Sequence, residues 1–149
     1  MNVKNELDVK KNWELIKLKE SSKNKSILDG VPKSLPTMLK AWRIQEKVGG
    51  VGFEWPDISG SLDKIEEEFN ELKIEIKKNN SESIEEELGD VFFSLVKFSR
   101  YLNINPVDAL EKANIKFIKR FKELEENVRN DKKRIEELEL DELDFYWKR

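Results

Sequence analysis

The chain has no cysteine and no histidine among its 149 residues. The first absence excludes disulfides, iron–sulfur ligation and thiol nucleophiles. The second removes the usual general base, the serine–histidine arrangement and most zinc sites. It also argues against a ferritin-like di-iron centre, which needs Glu-x-x-His pairs. Glycine (6) and proline (4) are scarce, which favours helix over strand. A strong charge excess is missing too. The formal net charge of −3 gives nucleic acid no bulk attraction, so no direct nucleic-acid binding is expected. No apolar run approaches the ~20 residues that cross a bilayer, and "MNVKNELDVKKNW" lacks the apolar centre of a signal peptide. The expectation is a cytoplasmic protein with no membrane partner. Any reaction must be carried by carboxylates, with a hard cation.

What is abundant is charge (40%) beside a substantial apolar fraction (38%), including 8 Phe and 4 Trp. That balance fits one folded domain of helices wetted on one side. Val3, Leu7, Trp13, Ile16 and Leu18 mark a helix over residues 3–20, and "SSKNKSILDGVPKSLP" reads as a linker. Residues 1–34 are therefore expected to be an N-terminal helix and linker, and 35–149 the domain proper. Pro36 and Thr37 open a helix to Val48 with Leu39 and Trp42 inward. "GGVGFEWPDISG" is a glycine-rich loop without the Gly-Lys-Ser/Thr ending of a P-loop. Its Phe53 and Trp55, like Trp42, are assigned to packing.

Helices are predicted over 61–78, from a capping box at Ser83 and Glu86, from Asn105–Pro106 past Phe117, Phe121 and Leu124 to about Arg129, and over Leu140, Leu143 and Trp147. In the second of these, Ile84, Leu88, Val91, Phe92, Leu95, Val96, Ser99 and Leu102 recur at three- and four-residue spacing, predicting a helix central to the core. No segment alternates as a strand does. The predicted class is all-α, a helical bundle, and short amphipathic helices this rich in aromatics point to a second copy completing the core.

The acids carry the functional question. "DKIEEEFNEL" sets Glu67, Glu68 and Glu71 at roughly 0°, 100° and 40° around a helix axis. Glu87 and Asp90, three apart, share a stripe of the next helix. The short connection between the two predicts antiparallel packing, so both acidic patches can meet near one end. Carboxylates brought that close repel one another. Mg²⁺ would resolve the repulsion, since it takes oxygen ligands, and a metal-bound water would supply the nucleophile. The same residues fit a solvated helix face equally, and spacing alone leaves both readings open.

"EEFNE" (67–71) followed by "ELGD" (87–90) resembles the Glu-Glu-x-x-Glu … Glu-x-x-Asp signature of the MazG family, all-α nucleoside triphosphate pyrophosphohydrolases. "VPKSLPTMLKAWRIQEKVGGVGFEWPDI" is similar to that family's entry segment, "KANIKFIKRF" to its later substrate-binding helix and "LDELDFYW" to its terminal aromatic segment. "NWELIKLKE" resembles the lead-in to the second, C-terminal domain of two-domain members. The resemblance spans essentially the whole chain, as a single copy. It implies hydrolysis between the α and β phosphates of a nucleoside triphosphate, as clearance of surplus or non-standard nucleotides, and a homodimer or dimer-based oligomer. By position, Glu67, Glu68, Glu71, Glu87 and Asp90 would hold Mg²⁺ and activate water, Lys116 and Arg120 would contact phosphates, and Trp147 would stack on the base. Lys64 is a further phosphate candidate; a salt bridge to Glu67 or Glu68 accounts for it as well. A lysine about a turn beyond the stacking tryptophan completes the family pattern, and Lys148 and Arg149 do not sit at that spacing. The alternatives are a narrower dUTP or dCTP pyrophosphatase and a non-catalytic helical dimerisation module.

Overall fold

The computed structural model describes residues 6–20 and 26–149. Val3 and the Leu18 side chain lie outside that description. Among the described residues six α-helices follow in order, α1 (Glu6–Glu20), α2 (Thr37–Gly50), α3 (Ile58–Lys78), α4 (Ser81–Tyr101), α5 (Pro106–Asn130) and α6 (Leu140–Lys148), with short 3-10 turns at Ile27–Gly30 and Ile135–Glu137. Among the described residues there is no strand, and no helix is long and apolar enough to cross a membrane. The chain is all-α, as predicted.

Each boundary has a local cause. The expected linker contains a 3-10 turn closed by a capping box of Ser26 and Asp29. Asp57 caps α3 by accepting from Ser59 N at 2.9 Å. Asn79 ends α3 in the left-handed region, φ 57°, a conformation asparagine tolerates. Asn80 then opens α4, its side chain accepting from Ser83 N. The predicted capping box is thereby corrected: Ser83 lies inside the helix, because the earlier Asn80 already satisfies its N–H. The α3–α4 connection is only Asn79–Asn80, so the two helices form the antiparallel hairpin expected.

The chain divides into two compact units, residues 1–106 and 107–149. In the first, α3 packs on α4 and α2 touches both α1 and α4. Its interior is partly polar. Gln45 donates Nε2–H to the Phe93 carbonyl at 2.8 Å, and Glu14 meets Lys47 at 3.8 Å, all three polar residues being buried. Leu7, Trp13 and Ile16, which marked α1, are exposed; of the residues predicted inward on α2, Leu39 is exposed and Trp42 half-buried. The central role expected for α4 is corrected in the same way. It buries Val96, but Leu88, Phe92, Leu95 and Leu102 stay exposed. The amphipathic period is present, and the single chain has too little apolar surface to cover it.

The second unit encloses Leu124, Val128 and Tyr146, with Ile135, Leu138, Leu143 and Trp147 packed around them. Tyr146 donates its hydroxyl to Asp131 at 2.7 Å, and Arg149 lies 3.3 Å from the same carboxylate oxygen. The tyrosine hydroxyl, with help from the guanidinium, holds the Asp131 carboxyl below the ordinary carboxylate range. A carboxyl depressed by folding stabilises the protein above its unfolded pKa, and that contribution disappears as pH falls through the folded value. Thermal melts should therefore drop below about pH 4, and Asp131→Asn should flatten that part of the profile while melting lower at neutral pH.

Candidate functional site

Three carboxylates converge on the inner face of the α3–α4 hairpin. Glu68 and Glu71 from α3 and Glu87 from α4 each offer an oxygen within 4.8 Å of the other two. Glu68 is buried, Glu87 half-buried and Glu71 exposed. Glu87 Oε2 is enclosed with no hydrogen-bond partner. Loss of water around it, then the negative charges of Glu71, Asp90, Glu68 and Glu75, push the Glu87 carboxyl up from its ordinary value. A sequestered, unpartnered oxygen among repelling carboxylates is an environment that a bound cation would relieve. An all-oxygen donor set without nitrogen or sulfur fits a hard ion such as Mg²⁺.

The remaining predicted residues sit around this trio. Glu67 is exposed; it and Glu68 flank Lys64, whose ammonium lies 3.2 Å from the first and 2.6 Å from the second. The Glu68 contact above all raises the Lys64 pKa. Asp90 is exposed on α4 and lines a pocket of about 370 Å³ with Lys64, Glu68, Gly52, Phe53, Glu54, Trp55, Phe93, Ser94 and Lys97. Burial pulls the Lys97 ammonium below its usual value, partly countered by Glu54. Phe53 and Trp55 are thus not packing residues: both are exposed on a pocket wall. Their only signal in the sequence was their place in a glycine-rich loop just ahead of the acids.

In the second unit, Arg120 and Trp147 are brought together. The guanidinium lies 4.1 Å from the indole centroid, and its Nη2 donates to the Trp147 carbonyl at 3.2 Å. Trp147 packs on the unit's core, with Phe117 5.2 Å away. Lys116 is exposed on α5. Lys148 and Arg149 pair with Asp144 and Asp131.

Residues 59–125 match the MazG nucleotide pyrophosphohydrolase domain, a segment containing the whole acidic trio. The chain is 44% identical over 140 residues to the nucleoside triphosphate pyrophosphohydrolase/pyrophosphatase MazG of Thermotoga maritima, covering 93% of this chain and 54% of the relative. It is 33% identical over 150 residues to the nucleoside triphosphate pyrophosphohydrolase of Escherichia coli K12, covering 98% and 57%. The YabN protein of Bacillus subtilis is 37% identical over 149 residues, covering 99% and 30%. The chain spans about half the length of the first two relatives.

Proposed function

We propose that this chain, residues 59–125 of which match the MazG nucleotide pyrophosphohydrolase domain, is a member of that family and hydrolyses nucleoside triphosphates between the α and β phosphates, releasing the monophosphate and pyrophosphate. The observation that carries the reading is the convergence of Glu68, Glu71 and Glu87 around an oxygen stripped of partners. Bound there, Mg²⁺ would lower the pKa of a water and offset phosphate charge. Glu68, Glu71 and Glu87 would hold it, with Asp90 on the adjoining wall and Glu67 at the outer edge. The proton of the attacking water would pass to this carboxylate cluster, with no single member assigned as the base. Lys64 anchors Glu68 and Glu67, and its ammonium lies on the pocket wall where a phosphate oxygen could reach it. Lys116, Arg120 and Trp147 are proposed as substrate contacts by their match to the family pattern. The cellular role proposed is removal of surplus or non-standard triphosphates in the cytoplasm.

A homodimer belongs to the same proposal. Leu62, Phe69 and Ile76 recur every seven residues along α3, and Leu88, Phe92, Leu95 and Leu102 form a matching band on α4; all seven are exposed. At about 100° per residue, Glu71 and Asp90 lie roughly 160° and 155° around their helices from these bands, and Glu68 and Glu87 about 100° around. The hairpin therefore has an acidic face and an apolar face. Two hairpins joined by their apolar faces make a four-helix bundle.

The direct test is pyrophosphate release from a panel of triphosphates with Mg²⁺ and with chelator. Release is expected with the metal alone. No release from any nucleotide would return the chain to a helical dimerisation module.

A further inference from the structure

The residue that α1 buries is an acid. Leu7, Val9, Trp13, Leu15 and Ile16 are all exposed, and among the described residues of the helix Glu14 alone is buried. This inverts the usual order of an amphipathic helix, and a buried polar group is the informative departure. Its partner is the equally buried Lys47 of α2, whose ammonium lies 3.8 Å from Glu14 Oε2. A buried pair of this kind adds little over apolar residues packed in its place, because both charges lose their water. Stability alone is a poor account of it.

Glu14 also touches the glycine-rich turn that follows α2. Its Cγ stands 2.7 Å from where a Cβ on Gly50 would lie, and the Lys11 ammonium stands 3.3 Å from the same point on Gly52. Lys11 and Glu14, three apart, share a face of α1. Gly52 turns the chain at φ 93°, where other residues are strained. From another side the turn is held by the end of α4. Arg100 Nη1 meets Glu54 at 3.0 Å, and Tyr101 donates its hydroxyl to the Trp55 carbonyl at 2.6 Å. Gly52, Phe53, Glu54 and Trp55 then line one pocket with Lys64, Glu68 and Asp90.

We propose that α1 is a positioning element for the acidic site, with Glu14 and Lys47 as its positioning residues: seated on the end of α2, the helix holds residues 50–55 where they complete the pocket wall. The inference rests on the triphosphate reading above. Neither α1 nor the turn falls within residues 59–125, which match the family domain. The acids themselves ride on α3 and α4, which pack on each other. Loosening the turn therefore leaves the reacting groups in place. A wall correctly placed only part of the time weakens apparent affinity by that fraction, which raises KM and leaves kcat little changed.

The test compares wild type with Glu14→Ala, Glu14→Gln, Gly50→Ala and the double variant Glu14→Ala/Lys47→Met, by Mg²⁺-dependent pyrophosphate release, thermal melts and amide hydrogen exchange. Glu14→Ala leaves the Lys47 charge buried without its partner and should melt lower. The double variant removes that charge and should recover most of the melting temperature, yet nothing then reaches Gly50. In both, the Gly52 and Phe53 amides, which donate to the Gly49 and Val48 carbonyls at 2.9 and 3.0 Å, should exchange about tenfold faster. In the double variant the Leu72 and Val96 amides of the hairpin should keep wild-type exchange, and KM should rise about tenfold at little-changed kcat. Gly50→Ala favours helix but crowds Glu14 Cγ, and should reproduce the local exchange and the KM effect without any buried charge being stranded. Glu14→Gln keeps both the reach and an acceptor for the ammonium, and should stay near wild type. Wild-type exchange at Gly52 and Phe53 in the double variant and in Gly50→Ala overturns the proposal. So does faster exchange there with KM unmoved, or a KM that recovers with the melting temperature. A wild type that releases no pyrophosphate removes the reaction instead; faster exchange at the turn then keeps the hold of α1 on it, and unchanged exchange removes that as well.

Discussion

Glu87→Gln is expected to lower Mg²⁺-dependent pyrophosphate release at least about 100-fold while raising the melting temperature of the metal-free protein. Both effects come from one atom. Glu87 Oε2 is enclosed without a partner, and its carboxyl is pushed up by lost hydration and by Glu71, Asp90, Glu68 and Glu75. A carboxyl raised by folding favours the native state while protonated, and that contribution is lost as pH rises through the folded value. At neutral pH the ionised Glu87 therefore costs stability, which an uncharged amide of the same shape removes. Mg²⁺ is expected to reverse the balance for wild type, because an ion that binds only the native state stabilises it. Melting in chelator and in Mg²⁺ should show the metal raising the wild-type midpoint and leaving the Gln variant nearly unmoved. Glu66→Gln, on the exposed side of the same acidic run, should alter neither activity nor metal response. A Glu87→Gln protein that melts lower than wild type in chelator would contradict this account of the site.

Phe92→Lys is expected to convert a dimer into a monomer. Phe92 is 55% exposed in the single chain, in the middle of the α4 band. Covering a phenylalanine is worth about 1.5–3 kcal/mol, and a symmetric interface contains the residue twice. Losing both copies removes about 3–6 kcal/mol of association, a fall of roughly 10²–10⁴ in the association constant. Light scattering should move from twice the 17.6 kDa chain mass to the chain mass itself. The wild-type melting temperature should rise with protein concentration and that of the variant should not. Phe92→Leu, which keeps the band apolar, should remain dimeric. A wild type that is monomeric at tens of micromolar, with a concentration-independent midpoint, would refute the pairing of these faces.

The helices were legible because their punctuation is local. Pro36–Thr37 and Asn105–Pro106 announce starts, and Asn79–Asn80 suits both an ending and a cap; none of these needs distant contacts to act. The meeting of "EEFNE" with "ELGD" was legible for a related reason. A short link between two helices folds them back on each other, and helical spacing fixes which residues share a face. The division of labour among the acids was not legible. Glu67 and Glu68 are neighbours in sequence but about 100° apart on the axis, and only the position of α4 decides that Glu68 is covered and Glu67 left at the edge. Glu14, Gln45 and Lys47 were equally hidden, since hydrophobic pattern assigns polar residues to the outside and their burial depends on partners far along the chain.

From sequence alone, then, came the all-α class, the presence and approximate extent of the helices and the two acidic stripes, because backbone propensity and a period of 3.6 act over a few residues. Tertiary structure alone decided which oxygen of Glu87 is enclosed, that Phe53, Trp55 and Lys97 line one pocket, and that Leu88, Phe92, Leu95 and Leu102 of α4 stay exposed among the described residues. Each of these depends on what a distant segment places opposite a side chain, and that placement is set by packing rather than by neighbours in sequence.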